Sequence, residues 1–137
     1  MKLSVAGEQA LKAIAISDDH WTFWMATEVA VREGKRVECA ELLARRFAEV
    51  ADHPQYLGMN FMSELVKITL GGHMSGNWHF LREPGGQEKA NALRDEWLKV
   101  IHHHADALRA GRLLVMGQDI VTTNLVPPGV SYEPPRK

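Results

Sequence analysis

The segment HPQYLGMNFMSELVKITLGG, residues 53–72, decides how the chain is read. Leu57, Phe61, Met62, Leu65, Val66, Ile68 and Leu70 cover most of a helical circumference, leaving Asn60, Ser63, Glu64 and Lys67 as a narrow polar strip. A helix that is apolar nearly all round is buried by several neighbours, so residues 54–70 are predicted to form the central helix of a bundle. Pro54 fits the first turn, and Asp52 or His53 is expected to accept hydrogen bonds from the free amides there. Gly71-Gly72 ends the helix, because glycine readily takes the left-handed backbone of a helix cap.

Working back from this segment, Val37, Ala40, Leu43, Ala44, Phe47 and Ala51 recur at three-and-four spacing and predict a helix over 36–51. Its polar side pairs Glu41 with Arg45 and Arg45 with Glu49, which reads as a solvated face and not as a nucleic-acid footprint. Ser17, Asp18 and Asp19 are suited to cap a helix running to Glu33, and Gly34 ends it. A first helix is predicted over 5–16.

Towards the C-terminus, residues 87–110 predict one long helix with Ala90, Leu93, Trp97, Ile101, His104 and Leu108 on a single stripe. RLLVMGQDIVTTNLV then turns aliphatic and β-branched around Gly117-Gln118-Asp119, the pattern of a short β-hairpin. Four prolines in VPPGVSYEPPRK bar a helix and predict an extended or disordered tail. The expected architecture is mainly α: a compact bundle of about five helices in one domain over 1–126, followed by a tail over 127–137.

Composition narrows the function classes. At 137 residues with 45% hydrophobic and 24% charged residues, the chain is long enough to bury a core and too apolar for disorder. A net charge of -1 supplies no overall attraction to phosphate backbones or anionic lipid, which argues against a nucleic-acid or membrane partner. The single Cys39 cannot form an internal disulfide and points to a reducing, cytoplasmic setting. The N-terminal stretch has no signal-peptide pattern, and no segment reaches the ~20 apolar residues needed to cross a bilayer. No internal repeat is visible.

Chemical signatures are sparse. His102, His103 and His104 diverge at ~100° per residue, so three neighbours on a helix cannot close on one ion. His104 belongs to the apolar stripe, whereas His102 lies four residues from Asp106 and can pair with it. No HExxH, paired CxxC, Glu-x-x-His pair, nucleophile elbow or phosphate loop occurs, and no catalytic residue or cofactor is assigned. The alternative with most chemistry in it is a metal-dependent enzyme built on the loop histidines His73 and His79. A nucleic-acid-binding regulator is the third reading, with Trp78 and Phe80 stacking on bases beside Arg82.

Two aromatic concentrations favour a different class. In the second helix, Trp21, Trp24 and Met25 share one face while Phe23, Ala26 and Ala30 occupy another, so the helix is either central or has one side in an interface. Glu28 lies on the tryptophan side and is expected to pair with Arg32. The loop GGHMSGNWHFLREPGG, residues 71–86, is long for a helix connection. Trp78 and Phe80 are expected to fold back over the bundle with His79 outward, and Asn77 and Ser75 to make local turn bonds. Tryptophan, methionine and arginine are enriched where proteins meet. The sequence is therefore read as a non-enzymatic protein-binding module, a regulator or inhibitor, with Trp21, Trp24, Trp78, His79, Phe80 and Arg82 contacting an unidentified protein partner. A homodimer through the second helix is the parallel expectation.

Overall fold

The structure is a computed structural model and describes residues 3–54, 56–114 and 123–135. It is a mainly helical bundle whose helices are α1 (Leu3–Ile16), α2 (His20–Arg32), α3 (Arg36–Glu49), α4 (Leu57–Thr69), α5 (Gly86–His103) and α6 (Ala105–Arg109). Strand β1 (His73–Gly76) lies between α4 and α5, and β2 (Val130–Glu133) pairs with it antiparallel, His73 facing Glu133 and Gly76 facing Val130. The hairpin expected around Gly117-Gln118-Asp119 lies outside the described residues.

α4 is the centre that its sequence requires: Leu57, Phe61, Met62, Leu65, Val66 and Ile68 are all buried. Phe61 stacks on Phe23 of α2 with ring centroids 4.2 Å apart, which places α2 against α4 through its inner face. Arg46 of α3 lies over the Phe61 ring as well, 5.0 Å from its centroid. Its guanidinium donates to the Ser17 carbonyl at 3.1 Å and pairs with Asp18 at 3.3 Å and Glu49 at 3.0 Å, tying α3 to the turn between α1 and α2. The pairing along α3 thus differs from the sequence expectation, since Arg46 takes Glu49, Glu41 reaches His102 on α5, and Arg45 has no ion pair among the described residues. Arg46 wins because it sits on the flank facing the α1–α2 turn, where a planar fork can satisfy several acceptors at once.

The caps explain where helices begin and end. Asp19 caps α2 as predicted, its carboxylate accepting from the Thr22 amide at 3.1 Å and the Thr22 hydroxyl at 2.7 Å. These bonds hold the Asp19 carboxyl below its ordinary value. The start of α4 is different. Neither Asp52 nor His53 caps it; the chain enters through Tyr56 in a left-handed conformation at φ 56°, and no side chain supplies the cap bond. Gly71 closes α4 at φ 79° as expected, its amide donating to the Val66 carbonyl at 3.0 Å. Gly72 is needed for a second reason, because a Cβ there would collide with the Glu133 carbonyl and the Tyr132 ring.

Residues 130–133, expected to lie in an extended or disordered tail, are a paired strand and close on the end of α4. Tyr132 donates its hydroxyl to the Leu70 carbonyl at 3.1 Å. The long helix expected over 87–110 is broken at His104, whose backbone is displaced to φ -109° between α5 and α6. The bend lays α6 against α3 and buries Leu108 completely.

Candidate partner interface

α2 has two unlike sides because its apolar residues exceed one helical stripe. Phe23, Ala26, Thr27 and Ala30 are buried, while Trp21 is 66% exposed and Met25 60% exposed on the opposite side. Trp21 meets Trp24 edge to face at 5.2 Å, so the half-buried Trp24 braces its more exposed neighbour. Ile16, at the end of α1, is also 81% exposed.

A charged cluster borders this face. The Lys67 ammonium of α4 lies 5.5 Å from the Trp24 ring centroid, 3.9 Å from Glu28 and 3.4 Å from Glu64. Glu28 therefore pairs across to α4 and not with Arg32, because Lys67 approaches it from the neighbouring helix. Glu64 is the residue the sequence hides. Placed on a polar strip, it is nonetheless only 5% exposed, with His20 at 3.8 Å and Lys67 as its close partners. Burial pushes its carboxyl above the ordinary value, and the Lys67 charge pulls part of the way back. Nothing in its local sequence signals this, since its partner His20 comes from α2. Glu64 and Lys67 line a cleft of about 490 Å³ with His73, Glu133 and Pro134. His73 pairs with Glu133 at 3.1 Å in this cleft.

The loop residues form a separate group. Trp78 is 4% exposed, meets Phe47 of α3 edge-on and stacks at 5.9 Å on Phe80. It folds back as expected, and this places it in the core, so Trp78 cannot offer its ring to a partner. His79 is exposed and hydrogen-bonded through Nδ1 to the Tyr56 hydroxyl at 3.0 Å, and the Arg82 guanidinium lies 5.0 Å from the Tyr56 ring centroid. Asn77 accepts from the His79 amide at 2.8 Å, the local turn bond predicted for it, while Ser75 instead donates across the sheet to Glu133 at 3.3 Å. Phe80 is half-buried and lines a groove of about 580 Å³ with Leu93, Val126 and Pro127. Among the described residues, Trp21 and Trp24 make no ring or ion contact with His79, Phe80 or Arg82, so the two aromatic groups are distinct surfaces.

The remaining chemistry-bearing side chains are engaged structurally. His73 and His79 have different partners, and among the described residues no group of three or more histidine, cysteine or carboxylate side chains is arranged to hold a metal. His102 reaches Glu41 of α3 and not Asp106, which pairs with Arg109 at 3.4 Å. Cys39 is fully buried, and burial raises its thiol to about 12. Among the described residues no helix is long and apolar enough to cross a membrane. No protein-family model matches the chain, and no similar protein is found among curated proteins or solved structures.

Proposed function

We propose that this protein is a non-enzymatic binding module that docks a protein partner on the outer face of α2, through Trp21, Trp24 and Met25. The observation that carries this reading is the exposure of Trp21 and Met25, 66% and 60%, on a helix whose other side is already buried in the core. Scattered exposed apolar residues need no explanation, but two large ones one turn apart, braced by a third, form a contiguous patch. Covering the exposed part of Trp21 is worth on the order of 4 kcal/mol gross, before the costs of ordering both surfaces. An aromatic anchor with a charged rim is the composition of a binding hot spot.

The loop contributes less than its sequence promises. Trp78 supports the fold, and His79, Phe80 and Arg82 remain the part of the loop that a partner extending beyond α2 could touch. The single reduced and buried Cys39 accords with action in the cytoplasm as a regulator or inhibitor.

The test is a photo-reactive phenylalanine analogue placed at position 21 in the producing cell, with the same group at Lys99, exposed on α5, as control. The expected result is a discrete polypeptide adduct at position 21 that is absent at position 99. Equal or absent cross-linking at the two positions overturns the reading.

A further inference from the structure

We infer that Tyr56, His79 and Arg82 form a binding site for a phosphate group, which does not depend on docking at the α2 face. The three side chains meet at one aromatic ring. His79 Nδ1 lies 3.0 Å from the Tyr56 hydroxyl, and the Arg82 guanidinium lies over the Tyr56 ring, 5.0 Å from its centroid. The local backbone brings the two loop residues to the same place, because His79 and Arg82 begin and end a 3₁₀ helix, His79–Arg82, in which side chains three apart are eclipsed. Both are exposed, and Tyr56 is half-buried between them and the start of α4.

The cluster carries donors that no protein acceptor uses. A guanidinium stacked on an aromatic face keeps its N–H groups in its own plane, where they stay open to a ligand. In the Tyr56–His79 hydrogen bond, either the hydroxyl donates and His79 keeps a proton on Nε2, or Nδ1 donates and the hydroxyl proton is free. One donor of the pair is left over in both cases. Neither His79 nor Arg82 has an ion pair among the described residues, whereas His73 is matched by Glu133 and His102 by Glu41. Asp52 and Glu83, the acidic residues nearest in sequence, are exposed and pair with neither. Two N–H groups from Arg82 and one donor from the Tyr56–His79 pair match the three oxygens of a phosphate better than the two of a carboxylate. The Tyr56 backbone is an independent sign. At φ 56° it is the sole non-glycine residue at positive φ among the described residues, a conformation that glycine would take without strain. Such strain persists where a side chain is kept for a task, and this side chain is the one that His79 and Arg82 both touch.

The experiment is an NMR titration of the full chain with inorganic phosphate at constant pH, read at the His79 ring signals, which a His79→Gln variant assigns. Sodium chloride holds the ionic strength constant, so screening does not change along the titration. A saturable shift at His79 is expected, with a roughly millimolar Kd for a ligand of so few atoms. His73 and His102, each beside a carboxylate, should not respond. Arg82→Gln is expected to weaken binding about tenfold or more, through loss of its charge-assisted hydrogen bonds. Tyr56→Phe keeps the ring under Arg82 and removes only the hydroxyl that orients His79, so about a threefold loss is expected. Thermal melts establish that each variant is folded. Acetate should bind more weakly than phosphate. Glycerol 3-phosphate and a short phosphoserine peptide separate the sources of the group: a peptide that binds about tenfold more tightly points to a phosphorylated partner segment, and equal affinities point to a free phosphate ester. No saturable shift at His79 up to ~50 mM phosphate overturns the inference. So does an equal response at His73 and His102, acetate binding as tightly as phosphate, or an Arg82→Gln variant that binds like the wild type.

Discussion

Trp78 presents its ring edge-on to Phe47, centroids 6.3 Å apart and planes at 76°, so the 71–86 loop is pinned to α3 by an aromatic contact. Trp78→Ala is therefore expected to cost about 3–5 kcal/mol, the range for emptying a large aromatic site. Trp21→Ala, at an exposed position of a helix, should stay within about 0.5 kcal/mol of wild type. Urea unfolding of the two variants checks this contrast, and equal losses would mean that Trp21 is also a core residue.

Glu64→Gln is expected to become more stabilising relative to wild type as pH rises. A carboxyl raised by burial contributes its stability below the ordinary value of 4.5 and loses it as pH climbs through the raised folded value. Glutamine, which does not titrate, escapes that loss while giving up the attraction to Lys67. The melting-temperature difference, variant minus wild type, should increase from acid to neutral pH. A flat or falling difference would contradict the burial of this carboxylate.

Cys39 is expected to be inert to thiol reagents in the folded protein at ~pH 8, because the thiolate is the reactive form and the thiol is held at about 12. One equivalent should react once denaturant is added. Fast labelling of native protein would show that the α2–α3 packing over Cys39 opens readily.

Gly76→Ala is expected to open the small sheet. Gly76 has φ 134°, and a Cβ there would collide with the Gly129 carbonyl, so the substitution should cost more than about 1 kcal/mol. Hydrogen exchange at Asn77, whose amide donates to that carbonyl at 3.0 Å, reports it directly. Unchanged protection would mean that the backbone adapts elsewhere.

The helical frame was legible because period and punctuation agreed. Asp19 and Gly71 occupy the caps their chemistry suits, and the nearly continuous apolar surface of α4 fixes it at the centre. The break at His104 was not legible, since that residue continues the apolar stripe and only packing against α3 bends the chain. The candidate face was half legible. Two apolar sides on α2 required either deep burial or an interface, and the exposure of Trp21 and Met25 selects an outward side. Trp78 and Phe80 offered the same composition in the loop, yet one is buried and the other is not, because which aromatic meets Phe47 depends on loop geometry. Glu64 was illegible because α2, which brings His20 to 3.8 Å from it, is remote in sequence.

The pairing of His73–Gly76 with Val130–Glu133 bears on the order of assembly. α1 with α2, and α3 with α4, are neighbours along the chain and close over a few residues, whereas the two strands meet across more than fifty. Closing the longer span carries the larger entropic cost, and non-local pairing is slow to nucleate. The helical hairpins are therefore expected to collapse first, with the Tyr132 hydroxyl reaching the Leu70 carbonyl only once the strands pair.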